Sequence, residues 1–162
     1  MKKYYLIIIA IAGCIALSTC KKGGDPATQA AVDDAKIQEY FKVNGIFDAK
    51  KDTSGLYYEV IAYGPGANNS ANFPTAAADT MIQVSYTGKY LNGQTFSPTE
   101  TSIFDTNNLT KGFAYGIKYI NTGGRIRLFV PSGLAYGTAG TGTGGIPPNA
   151  CVIFTIDLIG FY

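Results

Sequence analysis

The feature that most constrains this chain is a change of period: from Gly55 onward apolar residues recur at every second position in four separate stretches. Leu56–Tyr63 is aromatic and β-branched and closes at Gly64-Pro65-Gly66. Thr80–Leu91 places Ile82, Val84 and Tyr86 on one face, Arg125–Pro131 turns Ile126, Leu128 and Val130 inward, and Ala150–Tyr162 alternates through Val152, Phe154, Ile156 and Leu158. Two is the side-chain repeat of a β-strand, so four strands are predicted. Asn92-Gly93, directly after the second, is a tight-turn signal that returns the chain through Gln94-Thr95-Phe96. Ser97–Asn108 reads as irregular and Asn68–Asp79 as a polar, Ala-rich loop. In Leu109–Ile120 the spacing switches to helical, with Phe113, Ile117 and Ile120 on one side and Asn121-Thr122-Gly123-Gly124 as the stop. Ser132–Asn149 is a long loop, nearly all Gly, Thr and Ala from Gly137 to Gly145. The whole predicts an α+β domain, a mostly antiparallel sheet with one short helix packed across it.

Upstream of the strands lie three different kinds of segment. Lys2 and Lys3 precede an apolar run from Leu6 to Leu17, the layout of a secretory signal peptide. That run is shorter than the ~20 residues a spanning helix needs. Leu17-Ser18-Thr19-Cys20, followed by Lys21-Lys22-Gly23-Gly24-Asp25, resembles a bacterial lipobox in which Cys20 is lipidated, although Thr19 departs from the small residue usual before the cysteine. Ordinary signal-peptidase cleavage beside a bystander cysteine is the alternative. Asp25-Pro26 then supplies an N-cap and a first turn, and the residues up to Val43 are rich in helix formers with Ile37, Tyr40 and Phe41 on one face, stopped by Asn44-Gly45. This helix is expected to pack on the domain; joining two copies or acting as a stalk are its other possible roles. A structural lipoprotein, self-associating through this helix, is the corresponding functional alternative.

Composition removes whole classes of chemistry. There are no histidines, which excludes Ser-His-Asp and Cys-His catalysis and His-ligated zinc. Of three cysteines, Cys14 and Cys20 fall in or beside the leader, so only Cys151 belongs to the folded part, where it reads as a small buried hydrophobe. No disulfide framework or metal site can be assembled from it. Without Lys2 and Lys3 the basic and acidic residues balance, leaving no electrostatic footprint for nucleic acid. Gly140-Thr141-Gly142-Thr143-Gly144-Gly145 satisfies G-x-G-x-x-G, but Ile146-Pro147-Pro148 follows instead of a helix, and the nucleotide-binding reading fails on that context.

Three blocks taken together resemble the FK506-binding-protein (FKBP) family of peptidyl-prolyl cis/trans isomerases. They are Val84-Ser85-Tyr86-Thr87-Gly88 with Gly93 and Phe96, then Val130-Pro131-Ser132-Gly133-Leu134-Ala135-Tyr136-Gly137, then Ile146-Pro147-Pro148-Asn149-Ala150 running into Val152-Ile153-Phe154. Gly112-Phe113-Ala114-Tyr115-Gly116 adds a fourth, and the likeness covers about Thr53–Tyr162. The resemblance implies a five-stranded antiparallel half-barrel sheet wrapped around one short helix. It implies a proline pocket lined by Tyr86, Phe96, Phe113, Tyr136 and Phe154, with Ile146 at the rim. Leu109 and Thr110 match the strip where a backbone N–H binds the substrate carbonyl, and Phe104 is the candidate for the aromatic residue that relatives contribute after Phe96. Phe113 replaces a tryptophan common in relatives, Ser97 replaces their aspartate, and the segment between Phe96 and Phe113 is short for the family.

The expected organisation is a lipoprotein signal peptide over 1–19, a tether over 20–25, an N-terminal helix and linker over 26–52 and an FKBP-type domain over 53–162. The expected function is prolyl isomerisation assisting the folding of exported proteins, with a non-catalytic binding or chaperone module on the membrane as the alternative. Proline-containing polypeptides and FK506-like macrolides are the implied ligands, the membrane is reached through the lipid on Cys20, and no cofactor is called for. The implied place is the bacterial cell envelope, at the outer membrane facing the periplasm.

Overall fold

A computed structural model describes residues 25–65, 81–143 and 145–162 of the chain. The signal peptide, the Cys20 lipidation site, nearly all of the tether and the Asn68–Asp79 loop lie outside the described residues.

Helix α1 spans Pro26–Asn44, as its end signals predict. The Asp25 carboxylate caps it by accepting the Ala27 amide at 3.2 Å, and Gly45 ends it in the left-handed region at φ 65°. Its buried residues are Asp33, Ile37 and Phe41, one per turn along a single stripe. Strands β1 (Lys50–Lys51), β2 (Tyr57–Ala62), β3 (Met81–Tyr90), β4 (Thr95–Asp105), β5 (Arg125–Val130) and β6 (Val152–Phe161) form one sheet in the order β1-β2-β5-β6-β3-β4, each pairing antiparallel. The half-barrel therefore carries a sixth, two-residue strand beyond the five expected. Helix α2 covers Lys111–Gly116 and tightens into a 3-10 turn over Ile117–Tyr119.

The sheet buries both faces. On one side Ile82, Val84, Ile126, Leu128, Val130, Val152, Phe154, Ile156 and Leu158 close over Phe113, Ile117 and Ile120 of the α2 region. On the other, Tyr57, Phe129, Cys151 and Ile153 meet Ile37 and Phe41 of α1. Strand neighbours such as Leu128 and Phe129 are thus both fully buried, in opposite directions. That is why Leu128-Phe129-Val130 and Cys151-Val152-Ile153-Phe154 are continuous apolar runs rather than clean alternations. Packing on the domain is the role α1 takes here. Its far edge is tied by the Lys51–Asp34 ion pair at 2.5 Å and by Tyr57 Oη donating to Asp34 at 2.7 Å. Those donors, Lys51 first, hold the Asp34 carboxyl below its usual range. Such half-exposed pairs contribute little beside the apolar burial.

Cys151 sits in the α1-side core at 6% exposure, and burial, with the neighbouring Asp33 carboxylate adding to it, pushes its thiol up to about 12. It is a packed thiol with almost no thiolate at neutral pH.

The expectation that Ser97–Asn108 is irregular is wrong. Thr95–Asp105 is an 11-residue strand at the sheet edge. The register slips twice against β3, between the Lys89–Thr95, Gly88–Ser97 and Tyr86–Glu100 pairs, and Pro98 sits in that bulged stretch. An edge strand asks no ladder N–H of Pro98, and a bulge absorbs the extra residue.

Candidate functional site

The aromatic residues singled out by sequence come from five different places in the chain. β3 carries Tyr86, β4 carries Phe96 and Phe104, α2 carries Phe113, β6 carries Phe154, and the loop between β5 and β6 carries Tyr136. Six ring contacts join the first five. Phe113 and Phe154 are 5.4 Å apart, edge to face. Phe96 meets Phe154 at 5.9 Å, and Tyr86 lies 6.1 Å from Phe113 and 6.4 Å from Phe154. Phe104, reached only because β4 is a strand, stands 5.6 Å from Tyr86 and 6.3 Å from Phe113. Phe113 and Phe154 are buried at 4% and 2% exposure, while Tyr86, Phe96 and Phe104 are half-buried. The cluster thus has a buried apolar floor and a partly open rim of rings, an arrangement favoured by the ring quadrupoles.

Polar groups surround it sparingly. Tyr86 Oη donates to Glu100 Oε1 at 2.6 Å, and Ser97 Oγ donates to the same oxygen at 3.1 Å. Burial, then the Glu100 bond, raises the Tyr86 phenol above its ordinary value. Tyr136 is half-buried and its phenol is raised too, chiefly by burial and then by Tyr90. Ile146 is buried, its amide donating to Thr141 Oγ1 at 2.6 Å and its carbonyl accepting the Thr141 amide at 2.9 Å, which folds the Gly-rich loop back on itself. Leu109 packs half-buried against the core. Thr110 occupies the N-cap of α2, yet its hydroxyl makes no capping bond and is buried without a partner among the described residues.

Two neighbours escaped the sequence reading. Glu100, in the segment read as irregular, brings to Tyr86 the carboxylate that Ser97 lacks. Tyr90 backs Phe96 with ring centroids 5.0 Å apart. The signal for Glu100 was its place on a strand opposite Tyr86, visible only once the bulges are counted.

An antiparallel half-barrel wrapped over a short helix, with an aromatic cluster at the helix and an adjoining Gly-rich loop, defines the FKBP architecture. The family model described as FKBP-type peptidyl-prolyl cis-trans isomerase matches residues 74–159. The chain belongs to that family. It is 33% identical over 138 residues to FKBP-type peptidyl-prolyl cis-trans isomerase FkpA of Escherichia coli strain K12, covering 80% of this chain and 47% of that protein. It is 31% identical over 166 residues to the macrophage infectivity potentiator of Trypanosoma cruzi, covering 94% and 81% respectively. The crystal structure of FkpA from Escherichia coli superposes with a TM-score of 0.64 at 30% identity, over 83% of this chain and 62% of that one. The chain spans about half the length of the FkpA proteins it matches.

Proposed function

We propose that this chain is a peptidyl-prolyl cis/trans isomerase acting on proline-containing polypeptides. The observation that carries the reading is the buried Phe113–Phe154 floor ringed by Tyr86, Phe96 and Phe104, with Phe113 on a helix whose N-cap hydroxyl, on Thr110, is buried without a partner among the described residues. Rotation about a peptide bond meets a barrier of ~18–20 kcal/mol because resonance makes the C–N bond partly double. In the twisted transition state that resonance is lost and the amide is less dipolar. An apolar, water-poor surface therefore favours it over the planar ground state. No nucleophile is needed, which suits a chain without histidine. Tyr136, Thr110 and the backbone at Leu109–Thr110 supply donors to hold the flanking carbonyl, with Ile146 closing the rim.

The decisive measurement is the isomerisation rate of a proline-containing tetrapeptide with the purified chain, with and without FK506. Acceleration blocked by FK506 is expected, and Tyr136→Phe and Phe113→Leu are each expected to lower kcat/KM by about tenfold. A folded wild-type chain that does not accelerate the reaction sinks the enzyme reading and leaves a binding module. Activity indifferent to both substitutions sinks the site assignment.

We further propose that residues 1–19 are a lipoprotein signal peptide and that Cys20 carries the lipid. The domain at 53–162 would then stand off the outer membrane, facing the periplasm, to assist the folding of exported proteins. The support is the Leu17-Ser18-Thr19-Cys20 sequence after the apolar run. Metabolic labelling with an alkyne fatty acid is expected to mark the chain and to disappear in Cys20→Ala. A processed chain that carries no label overturns the anchor.

A further inference from the structure

Asp33 is out of place for a helix that merely covers a sheet. It lies on the same stripe as Ile37 and Phe41, is 1% exposed, and carries a carboxylate where an apolar side chain would serve packing better. Burying a carboxylate is costly unless its oxygens are fully bonded. Here Oδ2 accepts the Ser132 amide at 2.8 Å and the Ser132 hydroxyl at 2.6 Å, while Oδ1 accepts Gln29 Nε2 at 2.7 Å. All three donors are neutral, and two of them belong to one residue 99 positions away.

Ser132 starts the 3-10 turn that leads into Tyr136. Its carbonyl accepts the Ala135 amide at 3.0 Å and the Gly137 amide at 2.8 Å, the two residues that flank Tyr136. The Gly137 carbonyl in turn accepts the Asn149 amide at 2.9 Å, closing the loop toward β6. A continuous chain of hydrogen bonds therefore runs from α1 through Ser132 to both sides of Tyr136. Helix α1 also lies directly against this turn, and a groove of about 730 Å³ runs beside the contact, bounded by Ala30, Asp34, Gly133, Leu134 and Thr138. The family match begins at residue 74, so α1 and Asp33 lie outside it.

We propose that Asp33 is a positioning residue for the isomerase site, its buried carboxylate holding the Ser132–Gly137 turn so that Tyr136 faces the aromatic cluster. The helix α1 is then a working part of the catalytic domain and not only its cover. The proposal rests on the isomerase reading above.

The test compares Asp33→Ala, Asp33→Asn and Ser132→Ala in the full chain with Phe41→Leu, which loosens α1 packing two turns along the helix from the carboxylate. Each is made with Tyr136 and with Tyr136→Phe. Asp33→Ala is expected to lower kcat/KM about tenfold when Tyr136 is present and less than about twofold in Tyr136→Phe, since a group acting through another cannot be lost twice. Asp33→Asn, which keeps a carbonyl acceptor for Ser132, should recover part of the loss. Phe41→Leu should lower Tm but leave kcat/KM within about twofold. Equal losses in both Tyr136 backgrounds, or a like loss in Phe41→Leu, overturn the proposal. Should Asp33→Ala not fold, Ser132→Ala carries the same comparison, because it removes only one donor. If the wild-type chain is inactive, the isomerase reading has failed and amide exchange decides the rest. Faster exchange at Ala135 and Gly137 in Asp33→Ala than in Phe41→Leu supports the hold on the turn, and equal exchange overturns it.

Discussion

Phe129→Ala is expected to lower the unfolding free energy by about 3–5 kcal/mol. Phe129 is fully buried on β5, on the face turned away from the aromatic cluster. Its ring meets Phe41 edge to face at 4.7 Å and Tyr40 at 5.9 Å, with Tyr57, Cys151 and Ile153 around it. Truncation removes apolar surface and leaves a void that a sheet clamped between two helices cannot collapse to fill. For a domain of ordinary stability, ~5–15 kcal/mol, the loss is a large fraction of the total. Urea unfolding followed by circular dichroism measures it, with a lowered midpoint at constant m. Phe47→Ala is the matched control, since Phe47 is 86% exposed and should move stability by less than about 0.5 kcal/mol. A Phe129→Ala loss under about 1 kcal/mol would mean that α1 does not rest on the sheet in solution.

The same residue shows what could be read from the sequence and what could not. Helix α1 was legible to within one residue at its end, because Asp25-Pro26 and Asn44-Gly45 are local signals whose mechanism needs no partner. The strands were legible wherever one face is polar, as along Met81–Tyr90. That Phe129 points into a second core was not, since a buried outward face looks the same in sequence as an inward one, and the covering helix lies about ninety residues earlier in the chain. β4 was lost for the opposite reason. Pro98 and the polar run Thr99-Glu100-Thr101-Ser102 look like a loop, and only an edge strand tolerates them.

That loss hid part of the site. Continuing the hairpin without interruption from the Lys89–Thr95 pair would set Tyr86 opposite Pro98, whereas two bulges set it opposite Glu100. The Tyr86 hydroxyl finds its carboxylate for that reason alone. The pocket roles proposed for the rings rest on the family likeness alone, because a lone buried phenylalanine carries no mark distinguishing floor from filler. Asp33 carried a signal that was passed over: at the spacing of Ile37 and Phe41 it is an acid on an apolar stripe.

The largest effect on activity is expected from the smallest substitution, Gly88→Ala. Gly88 is buried on β3 between Ser97 on β4 and Phe154 on β6. The Phe96 ring lies over it, so closely that an added Cβ would stand 2.5 Å from both Cε2 and Cζ. Carbon atoms pack at about 3.5–4.0 Å, so the ring must give by roughly an ångström. It has little room, with Tyr90 at 5.0 Å on one side and Phe154 at 5.9 Å on the other. If the proposed site is right, the ring is expected to tilt away from the strand into the space a substrate proline would take. A displacement of that size at a positioning surface costs about 100-fold in kcat/KM, and the overpacking about 1–3 kcal/mol of stability. Tetrapeptide isomerisation and thermal unfolding measure the two separately. Gly88→Ala combined with Phe96→Leu removes the obstructing ring edge, so most of the stability should return while activity stays low for want of the aromatic wall, a non-additive pair. If Gly88→Ala alone stays within about threefold of wild type while folded, Phe96 is core and not pocket.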